Sequence, residues 1–290
     1  MNILLCGASG FVGRTVRAAL EAAGHTVTGP DLGIDFCRNV TPAVWRPRLH
    51  GINAVVNTVG VLRDTARRPM QAVHVDAPAA LFDACAQAGV RRVIHVSALG
   101  IDAARIPYAI TKRAAEQRLL ADNAAGRLDG VALRPSIVYG RGGASSGLFM
   151  ALARSPVLWA PQVMFTAKVQ PVSVRDLAEA VVRLLTRGQA DDFTGLLPCV
   201  GPAPLTLAEF VVSLRRQCGH RRPLVLAQPD WLTRLSVAIG DRIPALPLCT
   251  ETMTLLQHDN VADPRPFSTV LGRPARPVHT LVQTSWTAPA

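Results

Sequence analysis

An α/β fold built on a doubly wound parallel sheet, with a small and mainly helical C-terminal lobe, is what this sequence predicts. Three observations carry the prediction. Apolar runs of strand length alternate with helical patterns as far as Leu133. The links between them are short, which favours parallel strands joined by helical crossovers. From Arg134 the rhythm changes to turns, prolines and scattered helical stretches, so a different body of structure follows.

The first element is an apolar run, Ile3 to Cys6, that stops at Gly7; a helical pattern (Phe11, Val12, Val16, Leu20) then opens at Phe11. Gly7, Gly10 and Gly13 are spaced G-x-x-G-x-x-G, and each missing Cβ has a use. The first lets the chain turn, the second lets backbone approach a pyrophosphate, and the third lets the helix pack on the strand. Helix-start amides and the helix dipole make this turn, Gly7, Ser9, Gly10, Phe11, Val12 and Gly13, an anion site of the Rossmann kind.

Residues 24–31 read as a turn and a second strand ending at Asp31, about eighteen residues past Gly13. An acid there accepts hydrogen bonds from the adenosine ribose hydroxyls and repels a 2′-phosphate, so NAD is expected over NADP. A turn aspartate after Gly29-Pro30 is the plainer alternative. Ile34-Asp35-Phe36 reads as a third strand, its end placing Asp35 and Phe36 beside the adenine. Helical material runs to Leu49, and Ala54–Gly60 is a fourth strand that brings Thr58 and Gly60 to the ligand edge. A helix over 70–88 ends at Gly89, Val93–Ser97 is a fifth strand, 107–125 a long helix and Val131–Leu133 a sixth strand. Ligands of such sheets bind beyond the carboxyl ends of the strands, so Gly7, Asp31, Gly60, Ser97 and Pro135 share one edge.

The second body begins with the loop Arg134–Gly143, whose Ser136, Tyr139 and Arg141 are expected to line a substrate mouth. A helix near 146–154 and a Pro-rich connection follow. Ser173-Val174-Arg175-Asp176 reads as a capping box, with Asp176 structural, for a helix through Leu185. A strand at Gly195–Val200 and helices near 206–218, 229–240 and 250–259 precede a Pro- and Arg-rich tail that packs over the surface to Trp286. The expected organisation is a dinucleotide-binding domain over 1–198, with 136–165 contributing to the substrate lobe, and a substrate or partner lobe over 199–290.

Composition narrows the function. Apolar residues make up 49% and charged residues 18%, which argues against disorder. Arg154, Pro156 and Pro161 interrupt the best apolar run, so no membrane span is expected. The N-terminus lacks a basic n-region, and six scattered cysteines without a C-x-x-C read as reduced thiols of a cytoplasmic protein with no bound metal. The net charge of +11 is spread along the chain without a basic stripe or interleaved aromatics, which argues against nucleic acid. It fits a general attraction to anionic surfaces, a membrane face among them. Of the 31 basic residues only Lys112 and Lys168 are lysine.

One of those lysines completes the chemistry. Tyr108 and Lys112 stand at i and i+4 near the start of the long helix, on one face and about one turn apart. A phenol passes a proton to or from a substrate oxygen, but its free pKa is near ~10. A fixed ammonium beside it favours the phenolate and holds ribose hydroxyls, a role for which a bulkier, planar guanidinium is unsuited. The alternative is an ordinary amphipathic helix face.

The glycine turn, the strand ending at Ser97 and the Tyr108-x-x-x-Lys112 pair together resemble the short-chain dehydrogenase/reductase superfamily in its extended or atypical branch. Leu133–Gly140 and Val169–Ala178 add to the likeness. Val96–Gly100 and Leu255–Val261 are similar to the nucleotide-binding accessory subunit of respiratory complex I and its bacterial relatives. The resemblance implies an NAD(P)-binding oxidoreductase or epimerase/dehydratase-like protein. Hydride transfer would occur at a carbonyl or sugar carbon of an unidentified small molecule, with Tyr108, Lys112 and Ser97 in the catalytic positions. Extended-branch enzymes usually carry a second serine where this chain has Ala98, and many carry Asn where it has His74. The subgroup implies a second reading, a nucleotide-loaded subunit or redox sensor that acts through a protein partner.

Overall fold

The computed structural model describes residues 1–29, 33–186, 193–243 and 249–287; Asp31 lies outside the described residues. The chain forms two compact units, Met1–Pro135 with Leu177–Pro198, and Ser136–Asp176 with Cys199–Ala290. The first excursion into the second unit therefore runs to Asp176, eleven residues beyond the expected 165.

The first unit is organised around a six-stranded sheet. In chain order its strands are β1 (Asn2–Cys6), β2 (Thr26–Thr28), β3 (Ala54–Asn57), β4 (Arg92–Val96), β5 (Asp129–Pro135) and a last strand, Gly195–Cys199. In space the last strand lies at one edge, followed by β5, β4, β3, β1 and β2. The pairs β2–β1, β1–β3, β3–β4 and β4–β5 are all parallel, with Leu4 opposite Thr28 and Val55 and Ile94 opposite Val56 and Val131. Strands buried on both faces need continuous apolar runs, as Ile3–Cys6 and Ala54–Val56 supply. Helices α1 (Phe11–Ala22), α2 (Pro42–Trp45), α3 (Ala77–Ala88) and α4 (Pro107–Ala124) connect the strands. Leu4, Val55, Val93 and Ala132 of the sheet join Leu81, Phe82 and Leu119 of the helices in one core. Because β2 and β3 flank β1 on opposite sides, strand order reverses at β1. A crevice opens there, at the carboxyl ends.

The expected third strand at Ile34–Phe36 is a loop. Asp35 folds it into a turn: its carboxylate accepts from Cys37 N at 2.9 Å and its carbonyl from Asn39 N at 2.7 Å, while Asn39 Oδ1 accepts from Asp35 N. Backbone groups spent on a local turn are not free for a ladder. Phe36 is buried edge-on against Trp45, ring centroids 5.5 Å apart.

The second unit packs Ala144–Arg154 and Leu207–Gln217 around Tyr139, Phe149, Phe210 and Leu214. Thr206 and Glu209 form a reciprocal capping box at the start of Leu207–Gln217. The predicted box at Ser173 is only half made. Ser173 Oγ accepts from Arg175 N at 3.1 Å, but the Asp176 carboxylate, fully buried, accepts from Arg273 Nη2 and Arg276 N at 2.7 Å each. Asp176 thus clasps the C-terminal segment, whose Trp286 stacks on Tyr139 at 6.0 Å.

Candidate functional site

Gly7 takes φ +83°, a left-handed value, and its carbonyl accepts from Gly10 N at 2.9 Å. A Cβ on Gly13 would stand 2.0 Å from Gly7 O, so α1 is seated directly on the turn. Gly10 is the N-cap and offers no side chain to the first-turn amides. The amides of Phe11, Val12 and Gly13 are therefore left for an external acceptor, with the helix dipole behind them. Phe11 and Val12 offer only their backbone amides here; Ser9 is exposed, and its carbonyl accepts from Arg14 Nη1 at 2.7 Å.

This turn forms one wall of a groove of about 800 Å³ in the first unit. Thr58 and Gly60 beyond β3 and Asp35, Phe36 and Cys37 of the loop form the rest. Thr58 Oγ1 donates to Cys6 O at 2.9 Å, which ties the end of β3 to the end of β1. Four arginines on the rim, Arg14, Arg17, Arg67 and Arg68, outnumber two acids, Glu21 and Asp35. Sequence reading did not place Arg67 and Arg68 here; their adjacency to the groove depends on the loop after β3, which no local pattern reveals.

Deeper in the unit, Lys112 is 4% exposed and donates from Nζ to Val96 O at 3.0 Å. Among the described residues that carbonyl is its one hydrogen-bond acceptor. An ammonium has three donors, so two are left for a ligand. Burial lowers the Lys112 pKa to about 8, against the opposing pull of Glu116 one turn away. A Cβ on Gly60 would come within 3.0 Å of Nζ, so Gly60 leaves the approach to the ammonium open.

Tyr108 is half-buried, and its ring meets His74 edge-on, 5.7 Å between centroids. Burial pushes its phenol up to about 12, opposite to the direction expected from a neighbouring ammonium. Burial is the cause; the Lys112 ammonium is engaged by the carbonyl of β4. In this arrangement the phenol is a proton donor at neutral pH.

His74 packs edge-on behind the Tyr108 ring. It lies in a π-helical turn, Gln71–Asp76, that leads into α3. Its Nε2 accepts from Val61 N at 3.0 Å, which leaves the proton on Nδ1, 2.9 Å from Thr111 Oγ1. Thr111 in turn donates to Pro107 O at 2.8 Å. Burial, then the Lys112 charge, lower the His74 pKa to about 3. The neutral ring buckles the loop after β3 to the first turn of α4 and backs the Tyr108 ring. Sequence reading missed Thr111 and Val61 in this role.

Ser97 N donates to Leu133 O at 2.8 Å, but its buried hydroxyl has no partner among the described residues. A buried hydroxyl left unpaired is a group that a ligand would satisfy. It stands one residue beyond Val96, whose carbonyl anchors Lys112. Pro135 is buried and its carbonyl accepts from Leu99 N at 2.9 Å.

The expected mouth residues do not gather as a mouth within their unit. Ser136 Oγ donates to Asn260 O and accepts from Gln170 N, a structural stitch. Tyr139 is fully buried between Phe210 and Trp286, its hydroxyl without a partner among the described residues, because its aromatic ring fills the core of the second unit. Arg141 is exposed, and its backbone N–H bonds Ser285 O at 2.9 Å.

An uncapped helix start beside an open groove, a buried ammonium with spare donors and an orphaned serine hydroxyl fit a dinucleotide. Comparison with known proteins agrees. The model of the NAD dependent epimerase/dehydratase family matches residues 3–194. A Mycobacterium bovis protein described as an epimerase family protein is 27% identical over 263 residues, covering 77% of this chain and 81% of that protein. The fold is shared with Thermus thermophilus UDP-glucose 4-epimerase in complex with NAD, at TM-score 0.62 and 21% identity over 79% of this chain and 86% of that one. It is shared also with Bacillus cereus UDP-glucuronic acid 4-epimerase in complex with UDP-glucuronic acid and NAD, at TM-score 0.68 and 18% identity over 98% of each.

Proposed function

The chain belongs to the NAD dependent epimerase/dehydratase family, and from that premise we propose that it transfers hydride at a carbonyl or sugar carbon, with Tyr108 as general acid/base and Lys112 as the group that fixes the ribose. NAD is its cofactor; when bound, it supplies the hydride acceptor and donor. The observation that carries the reading is the buried Lys112 ammonium, one helical turn from Tyr108, with donors that the protein does not satisfy. The amides at the start of α1 would hold the pyrophosphate, and Asp31 would take the adenosine ribose. The Tyr108 phenol, protonated at neutral pH, would give its proton to a substrate oxygen as hydride arrives, or recover it in reverse. Ser97 would donate a hydrogen bond to the same oxygen. The named ligands of the structural neighbours make sugar nucleotides the substrate class to try first.

Turnover with a panel of sugar nucleotides, followed by nicotinamide absorbance and product analysis, tests the reading. Tyr108→Phe is expected to lower kcat by roughly 100-fold or more while leaving NAD affinity intact. If no panel member turns over and Tyr108→Phe changes nothing measurable, the catalytic reading fails and nucleotide binding alone stands.

A further inference from the structure

Large apolar side chains left singly on a surface are ordinary, but contiguous ones are not. Nine of the fifteen large apolar side chains exposed among the described residues fall in two short stretches of the second unit, 157–159 and 224–243. Among the described residues the strand Leu224–Gln228 pairs, in parallel, only with Val157–Pro161, with Leu224 opposite Val157 and Leu226 opposite Trp159. Leu158 and Ala160 point into the core, so the alternate residues Val157 and Trp159, with Leu224 and Leu226, make the outward face of this ribbon apolar. Two residues later the helix Asp230–Arg242 begins, and Gln228 Nε2 reaches back to Ser236 Oγ at 3.3 Å. Trp231, Leu235 and Ile239 recur at i, i+4 and i+8 and are 68%, 50% and 44% exposed, so the helix turns its apolar stripe outward.

We propose that this ribbon and helix dock the protein on the surface of an anionic lipid bilayer. Charge selects that occupant over a second copy of the chain. Arg216, Arg221 and Arg222 are exposed just ahead of Leu224, and Arg234 and Arg242 on the helix, against three exposed acids: Glu209, which is engaged by the Thr206 cap, Asp230 and Asp241. Asp241 is already engaged, accepting from Thr250 N and Thr250 Oγ1 at 2.8 Å. With the whole chain at +11, two such faces would repel each other, whereas acidic headgroups complement them. Trp159 and Trp231 suit the headgroup depth, where an indole keeps its N–H wet and its ring in the apolar layer. No helix among the described residues is long and apolar enough to cross a membrane, so the attachment is interfacial.

The test uses the full chain with vesicles of phosphatidylcholine, with and without phosphatidylglycerol, read by co-sedimentation and tryptophan emission. Binding is expected to the anionic vesicles, with a blue shift and a loss of affinity in high salt. Trp231→Ser with Leu235→Ser is expected to lower the partition coefficient roughly tenfold or more. Arg234→Gln with Arg242→Gln leaves the apolar face intact and is expected to cost roughly fivefold per arginine on anionic vesicles alone. Unchanged urea midpoints establish that each variant is folded. Equal binding to neutral and anionic vesicles, no binding at low salt, or a dimer that Trp231→Ser and Leu235→Ser dissolve without any vesicle binding would each overturn the proposal.

Discussion

The two glycines at the start of α1 allow structural and ligand-binding roles to be separated by a single methyl group. A Cβ at Gly13 would lie 2.0 Å from Gly7 O and 2.7 Å from Gly7 C, both backbone atoms of a seated turn. Relief to ordinary contact near 3.4 Å requires α1 to retreat by about 1.4 Å from β1, against close packing on Val16 and Leu20. Gly13→Ala is therefore expected to cost about 3 kcal/mol or more. At Gly10 the same methyl meets only Gly7 O, at 3.2 Å, and the backbone there (φ −74°, ψ 172°) is open to any L-residue. Gly10→Ala should cost under about 1 kcal/mol of stability. It would nevertheless project over the helix-start amides. Losing one charge-assisted hydrogen bond to a phosphate, about 1.5–3 kcal/mol, weakens NAD binding roughly 10- to 150-fold. Urea denaturation and NAD titration calorimetry read the two effects separately. Equal destabilisation of both variants, or wild-type NAD affinity in Gly10→Ala, would refute the assignment of the turn.

Four further outcomes follow from the same geometry. NAD affinity is expected to fall as pH rises through about 8, because the charged Lys112 donor exists only below its lowered pKa; NAD titrations of Lys112→Met should show weaker binding without that dependence. His74 has a folded pKa of about 3, below its ordinary 6.5, so the unfolded chain takes up the proton first and stability falls on acidification between those values. His74→Gln should make the urea-measured loss between about pH 6.5 and 4 shallower by up to about 1.4 kcal/mol per pH unit, and an unchanged slope would exclude the neutral buckle. Asp176→Asn leaves Arg273 and Arg276 without their buried carboxylate and should cost about 2–4 kcal/mol, with faster tryptic cleavage at both arginines as the readout. Asp31→Asn should narrow the preference for NAD over NADP in paired titrations, by removing the charge that repels a 2′-phosphate.

The elements that sequence revealed are those written in local pattern. Ile3–Cys6, Ala54–Val56 and Val93–Ile94 are apolar because a parallel strand is buried on both faces, and that requirement shows in single-sequence composition. Gly7 and Gly13 were legible because a left-handed turn and a close backbone approach leave no other residue type. What failed depended on partners remote in the chain. Ile34–Phe36 has strand-like residues, yet Asp35 and Asn39 close it into a turn and Phe36 finds Trp45. Tyr139 sits in a turn-rich stretch that reads as a loop mouth, yet Phe210 and Trp286, 71 and 147 residues further on, enclose it. Asp176 looked like half of a capping box because its true partners lie about a hundred residues away.

The placement of Lys112 links these observations into one physical argument. A charge 96% removed from solvent is costly, and one carbonyl from Val96 satisfies a third of its donors. The fold nevertheless invests in holding that position: His74 fastens the loop before α3 to the first turn of α4, and Gly60 is bare where a side chain would press on the ammonium. In a chain that otherwise uses arginine almost without exception, a bulkier guanidinium at 112 would press on the space beside Gly60, where even an added Cβ would stand only 3.0 Å from Lys112 Nζ and 3.6 Å from His74 Nε2. A structural cation would be expected to find a carboxylate, as Arg134 does with Glu116 and Asp102. Lys112 stands one turn from that same Glu116 and turns to β4 instead, toward the end of the strand where Ser97 also waits unpaired. On the proposed function, a ligand that completes both would explain two under-satisfied polar groups near one strand end, and Gly60, which lines the groove and adjoins the Lys112 ammonium, is where it would pass from one to the other.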